Sequence, residues 1–236
     1  MRLFGRAASG FAMPLKLFFH PLASFCHKAL IALYENAIPF EPIIVDLGDE
    51  ASSAAFKAIW PIAKMPVLRD EARNHTVAES TIIIEYLDAH YSGPTRFLPA
   101  DADRAWQTRM WDRFYDHYVQ EPMQKIVTDR LRPSGKNDSH GVEQAKAELV
   151  QTYIIIEQEM TSKTWATGDA FTLADCAAAP ALFYANTVVP FGGEQTNLRA
   201  YLNRMMTRPS FARVLAEAQP YFAIFPMEKK PQIGQI

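Results

Sequence analysis

Lys64-Met65-Pro66-Val67-Leu68, then the polar turn Asp70 to Asn74, then His75-Thr76-Val77-Ala78-Glu79-Ser80, is the stretch whose reading decides the fold. Two short apolar runs on either side of a polar turn read as strands, Met65 to Leu68 and His75 to Val77. From Glu79 to His90 the period changes. Ile83, Tyr86 and Leu87 fall on one face, so a helix follows the second strand directly. Pro66 sits at the start of its strand, where a residue with no N–H is least disruptive to a ladder. Its peptide bond is trans by default. A cis bond would turn the backbone N–H and C=O of Met65 outward, where a peptide-like ligand can pair with them.

Working outward toward the N-terminus, Leu15 to Phe19 reads as a strand closed by Pro21. Phe25, Ala29, Ala32 and Leu33 then recur at helical spacing, placing a helix start near Ser24. Phe40 to Val45 is a second strand, and a short helical stretch covers Ala51 to Ala58. The order β-α-β-α-β-β-α makes an α/β unit with a mixed sheet. Residues 1–13 precede the periodic pattern and read as a loose extension.

Toward the C-terminus, Ser92-Gly93-Pro94-Thr95 breaks the pattern and the strands stop. Trp106, Met110, Phe114 and Tyr118 mark a long helix, and the aromatic stripe that includes Trp111 and Tyr115 reads mostly as helix–helix core. A polar loop, Pro133 to Gly141, leads to a second helix carrying Val142, Ala145, Leu149, Tyr153, Ile156 and Met160. A third opens at Phe171-Thr172-Leu173-Ala174-Asp175, where Thr172 and Asp175 form a capping box. Two more follow, Leu198 to Met206 and Phe211 to Ala218, with Pro209 between them. The expected division is an α/β domain over 14–92, a linker over 93–100 and an all-helical domain over 101–236.

Composition narrows the function. The 236 residues hold 24 Lys and Arg against 26 Asp and Glu, a formal net charge of −2. No basic surplus exists to bind nucleic acid or an anionic membrane, so the partner is a small molecule or another protein. Nothing apolar is long enough to span a bilayer. The 2 cysteines, Cys26 and Cys176, are far apart and build no disulfide framework, which fits a reducing, cytoplasmic setting. The 6 histidines show no metal-ligand spacing, so no metal is expected. Glycine-rich phosphate loops and a Gly-x-Ser-x-Gly elbow are absent.

The remaining candidates cluster at helix starts. Ser24 opens the first helix beside its unpaired N–H groups and positive dipole end, where a hydroxyl either caps the helix or donates to an anion such as a thiolate. Cys26, two residues on, is either a small buried apolar residue or a thiol activated by the helix N-terminus. Glu79-Ser80 either caps the next helix or recognises an amino-acid head group, Glu79 accepting from its ammonium and Ser80 donating to its carboxylate.

Taken in order, the strand, the helix-start serine, Lys64-Met65-Pro66-Val67-Leu68, Glu79-Ser80 and the all-helical half with its Thr172–Asp175 box resemble the cytosolic glutathione S-transferase family. The resemblance spans about Leu15 to Phe222. It implies a thioredoxin-like domain that binds glutathione as co-substrate, packed on a helical domain that supplies an apolar pocket for a small electrophile. Pro66 would be a cis proline, with Met65 pairing to the cysteinyl part of glutathione. Glu79 and Ser80 would hold the γ-glutamyl end, and Lys64 would reach the glycine carboxylate. Ser24 would stabilise the thiolate, although related patterns place the reactive residue at the position of Ala23, and others use a cysteine near the helix start. Trp60-Pro61-Ile62-Ala63 departs from the usual Asn-Pro-x-Gly. Trp111 and Tyr115 are the expected pocket residues, and the family resemblance implies a homodimer. A thiol transferase working through Cys26 and a non-catalytic binding module on the same fold are the rival readings.

Overall fold

The computed structural model describes residues 14–234, so the expected extension, 1–13, lies outside the described residues. Four strands form one sheet in the order β2-β1-β3-β4. Strand β1 (Leu15–Phe19) alternates, burying Leu15, Leu17 and Phe19. It pairs in parallel with β2 (Glu41–Ile44) and antiparallel with β3 (Val67–Asp70), so Leu17 lies between Pro42 and Leu68. A hairpin joins β3 to β4 (His75–Ala78), with Asn74 in the left-handed region at φ 55. Strand β3 starts two residues later than the sequence pattern suggests, because Met65 and Pro66 stay outside the ladder and Pro66 has no N–H to give it.

Helices α1 (Ser24–Glu35) and α3 (Ser80–His90) cover one face of this sheet, and α2 (Glu50–Ile59) follows β2. Helix α1 is buried from Cys26 to Leu33, because it packs on α3 and also against the helical half of the chain. Its neighbours there are α7 (Leu173–Val188) and α9 (Pro209–Ala218). The helical half opens with α4 (Ala102–Phe114) and also contains α5 (Glu121–Asp129), α6 (Ser139–Glu159) and α8 (Thr196–Thr207), ending in a 3₁₀ turn at Gln219–Ile224. The capping box is formed: Thr172 N donates to Asp175 Oδ2 at 2.8 Å. The other oxygen, Oδ1, accepts from Ala166 N at 2.8 Å and from the Tyr201 hydroxyl at 2.6 Å, tying α7 to α8.

Two readings of the helical half are modified by the structure. The long helix runs from Ala102 to Asp129 but is not regular: a π-helical turn, Tyr115–Gln120, separates α4 from α5. Pro122 cannot donate to the carbonyl of Tyr118, and its ring crowds that carbonyl, so the chain widens there. The aromatic stripe is split between core and surface: Tyr115 is buried with Trp111 and Phe114 half-buried against it, while Trp106 and Tyr118 are 55% and 51% exposed and Met110 is 44% exposed. The buried side of α4 and the turn also carries Thr108, Asp112, Asp116 and Val119.

The loop between β1 and α1 is pinned by a buried histidine. His27 Nε2 donates to the Pro21 carbonyl at 2.5 Å, and burial pushes its pKa from 6.5 down to about 4. Between those values the unfolded chain binds a proton that the folded chain refuses, so stability falls as pH drops from 6.5 to 4. His27→Gln should be the less stable protein at pH 7.5, yet lose about 2 kcal/mol less than the native chain on going to pH 5. Urea unfolding at both pH values checks this, and equal losses in the two proteins would rule it out.

Candidate functional site

The sheet and the helical half meet at a cleft of about 200 Å³. One wall comes from Phe25 at the start of α1, the Lys64-Met65-Pro66 corner before β3, and Glu79-Ser80 at the start of α3. The opposite wall comes from Arg113, Asp116, His117 and Glu121 at the α4–α5 junction. The Met65–Pro66 peptide bond is cis. Five residues singled out from sequence, Lys64, Met65, Pro66, Glu79 and Ser80, are therefore brought together.

The start of α3 is held in an unusual conformation. Glu79 occupies the N-cap position at φ 67, ψ 119, in the left-handed half of the map, and its carboxylate makes no capping bond. Holding a non-glycine residue there costs on the order of 1–3 kcal/mol, a strain that surrounding structure must sustain. It does so from both sides: Ala78 is paired with Val67 in the sheet, and Ile83 N donates to the Glu79 carbonyl at 2.8 Å. The carboxylate is left exposed at the cleft, so simple capping does not describe it. Ser80, beside it, is buried.

At the start of α1 the N-cap is Ala23, and Ser24 is the first helical residue. The Ser24 hydroxyl is therefore not spent on capping. Ser24 is 8% exposed and adjoins Phe25, which lines the cleft. Cys26 is different. It is fully buried, and burial pushes its thiol up to about 12, so it stays protonated at neutral pH.

Beneath the cleft lies an ion cluster that sequence reasoning did not anticipate. Lys28 of α1 is 1% exposed, and its Nζ lies 2.6 Å from Asp112 Oδ1 and 2.8 Å from Asp116 Oδ2. It also donates to Thr81 Oγ1 at 2.9 Å, and that hydroxyl donates to Asp112 Oδ2 at 2.9 Å. Arg113 closes the cluster, its Nη2 contacting Thr81, Asp112 and Asp116. Burial pushes the Asp116 carboxyl up against the pull of Lys28. The available signals were a lysine inside the apolar run Cys26-His27-Lys28-Ala29-Leu30-Ile31 and two aspartates four apart on an aromatic-rich helix.

Neither expected pocket residue lines this cleft. Tyr115 is 1% exposed and packed among Trp111 and Phe114 in the core. Trp111 is half-buried under the Lys163 ammonium, 5.2 Å from its ring centre. Among the described residues, no group of three or more His, Cys, Asp or Glu side chains is placed to hold a metal ion, and no helix is long and apolar enough to cross a membrane.

Comparison with known proteins agrees with this geometry. Residues 17–95 match the model of the glutathione S-transferase N-terminal domain, and residues 114–209 match that of the C-terminal domain. Glutathione S-transferase GstB of Escherichia coli K12 is 25% identical over 80% of this chain and 91% of its own length. A stringent starvation protein A homolog of Haemophilus influenzae is 27% identical, covering 83% of this chain and 87% of its own. A Methylobacterium radiotolerans glutathione S-transferase, solved in complex with glutathione sulfonate, superposes with a TM-score of 0.73 at 25% identity over 85% of this chain and 93% of its own. With both domain models matched in order on a four-stranded mixed sheet and a helical second half, the chain belongs to the cytosolic glutathione S-transferase family of enzymes.

Proposed function

We propose that the chain binds glutathione in this cleft, ionises its thiol with the help of Ser24, and adds the sulfur to a small electrophile. The observation that carries the reading is the convergence of Lys64, Met65, Glu79 and Ser80 on one cleft. Those groups suit the parts of a γ-glutamyl tripeptide. Glu79 accepts from the ammonium, Ser80 donates to the neighbouring carboxylate, Met65 offers backbone groups outside the ladder, and Lys64 meets the terminal carboxylate. The Methylobacterium relative, solved with glutathione sulfonate, supports the same ligand class for this chain.

A free thiol of pKa ~8.5 is only a few per cent ionised at neutral pH. Lowering that value by about two units takes roughly 2.7 kcal/mol. A charge-assisted hydrogen bond from Ser24, at ~1.5–3 kcal/mol, and the α1 dipole, at ~0.3–1 kcal/mol, together reach it. The thiolate sulfur then forms a bond to the electrophilic carbon, and the displaced group or the addition anion takes up a proton from solvent. A thiol transferase route through Cys26 loses its support, since that thiol is buried and protonated. The free, buried state of both cysteines fits a reducing cytoplasm.

The same reading makes the enzyme a homodimer. Ile82 of α3, Trp106 and Met110 of α4, Tyr118, and Val150, Ile154 and Ile155 of α6 are large apolar side chains left exposed. They come from both halves of the chain, as expected where the first domain of one subunit meets the helices of another.

Two measurements test this reading. A pH titration of the ultraviolet thiolate band of bound glutathione should place its midpoint well below that of the free thiol. Ser24→Ala should move it back up by about one to two pH units while affinity falls only modestly. Binding with no shifted thiolate would exclude the chemistry, and an unchanged midpoint in the variant would exclude Ser24. Light scattering should give about twice the 26.7 kDa chain mass, with Met110→Asp driving it toward the monomer; a monomeric native chain would refute the dimer.

A further inference from the structure

Ser24 follows a four-residue loop, 20–23, between β1 and α1. Two histidines hold that loop. His20 Nδ1 accepts from Leu22 N at 3.2 Å, and the His20 carbonyl accepts from Ala23 N at 3.0 Å. From the first turn of α1, His27 Nε2 donates to the Pro21 carbonyl at 2.5 Å. Pro21, Leu22 and Ala23 thus each have a backbone group tied to one of the two. Accepting from Leu22 requires His20 Nδ1 to be unprotonated, and burial lowers the pKa of that ring despite the pull of Asp46.

Both imidazoles lean on the C-terminal segment. The His20 ring meets Tyr221 edge to face, with ring centres 5.9 Å apart. His27 packs on Tyr184 of α7 at 5.6 Å, and Tyr184 stacks on Phe225 at 5.5 Å and 20°. His27 Nδ1 and the Tyr184 hydroxyl make no hydrogen bond among the described residues, so on that side the ring is held by packing rather than by a directed bond. Tyr221 belongs to the 3₁₀ turn Gln219–Ile224, and Phe225 follows it directly. The segment is itself anchored: Phe222 and Phe225 are buried, Phe222 packs on Phe183, and Lys230 Nζ donates to the Phe225 carbonyl at 2.6 Å.

The groups assigned to binding glutathione hang on other elements. Met65 and Pro66 precede β3, and Glu79-Ser80 stands at the start of α3. A small shift of the loop would therefore move Ser24 relative to the sulfur and leave the other contacts standing. A hydrogen bond weakens steeply with stretching and misalignment, and a misplacement of about 1 Å can cost about a hundredfold in rate.

We propose that Tyr221 and Phe225 are positioning residues for the thiolate chemistry: through His20 and His27 they hold the loop, and with it the Ser24 hydroxyl, where it can donate to the bound sulfur. This role presupposes the glutathione reading and deepens it by tying the C-terminal segment to the ionisation step.

The test follows two quantities in the full chain, the pH midpoint of the bound-thiolate ultraviolet band and the Kd of glutathione by titration calorimetry. Tyr221→Ala and Phe225→Leu should each raise the midpoint by about half to one pH unit while Kd changes by less than about twofold. Tyr221 is half-buried, so its variant empties little of the core. Tyr221→Phe keeps the ring and should return the native midpoint. In a Ser24→Ala background, Tyr221→Ala should add no further shift, because the donor it positions is gone. A midpoint unmoved in both single variants, whatever happens to Kd, overturns the proposal, and so does a shift that persists in full without Ser24. If the native chain itself shows no lowered midpoint, the glutathione reading fails and this role falls with it. A lowered native midpoint that neither Tyr221 nor Phe225 affects removes this role alone.

Discussion

The buried contact between Lys28 and the Asp112–Asp116 pair is the constraint on which the rest of the site depends. It joins three elements from two halves of the chain: α1 through Lys28, α3 through Thr81, and α4 with its π turn through the two aspartates. The N-terminal ends of α1 and α3 are also the elements that bring Phe25, Glu79 and Ser80 to the cleft. Removing the lysine would leave two buried carboxylates with Arg113 as their remaining counter-ion, and breaking a buried pair costs up to about 3–5 kcal/mol. Replacing the whole cluster with apolar side chains can be close to neutral for stability. Its value therefore lies less in energy than in registration. Charges whose partners sit on different helices admit one relative placement of those helices, whereas an apolar interface tolerates a slide.

Registration matters because the cleft is assembled from short pieces, each under a local constraint. Glu79 is held at a positive φ between a strand residue paired to Val67 and a helix whose first turn bonds back to its carbonyl. The corner at Met65–Pro66 sits one residue before β3, so the register of β3 against β1 sets its height above the sheet. His27 fixes the third piece, drawing the Pro21 carbonyl onto a buried imidazole and setting where α1 begins. A displacement of one register in any of these pieces would separate groups that line one cleft.

Much of this was legible in the sequence, and the parts that were not share a physical cause. Strand and helix order follow from hydrophobic period, and the two strands around the Asp70 to Asn74 turn fall within two residues of where the pattern puts them. The Thr172–Asp175 box could be read because capping is local, its donors and acceptors lying within four residues. The opposite wall of the cleft could not. Assigning side chains on a long helix to the core or to the cleft requires an unbroken 3.6-residue phase, and the π turn at Tyr115–Gln120 breaks it. Beyond that turn's start Asp116, His117 and Glu121 line the cleft; in the regular helix before it, residue type misleads, since the aromatic Trp106 is exposed while the charged Arg113 lines the cleft. Lys28 was illegible for another reason. A buried lysine is tolerated only with its partners, and those lie 84 and 88 positions away at Asp112 and Asp116.

The contrast between Ser24 and Cys26 bears on the proposal that the nucleophile arrives with the ligand. Both lie in the first turn of α1, within reach of the same dipole. That dipole contributes ~0.3–1 kcal/mol toward an anion, which is far smaller than the cost of ionising a thiol sealed from water. Desolvation wins at Cys26, whose thiol is pushed up to about 12, and also at Cys176, pushed well above its ordinary value. The chain's two cysteine thiols are thus both held protonated in its interior. What it presents near the cleft is a serine hydroxyl not used for capping, at a helix start, next to a cleft built from ionic and backbone groups. A hydroxyl is a poor nucleophile unless a base activates it, but it is a competent donor to an anion. On the proposed reading the chemistry is divided between protein and ligand: the protein supplies charge complementarity and a hydroxyl donor, and the ligand supplies the sulfur.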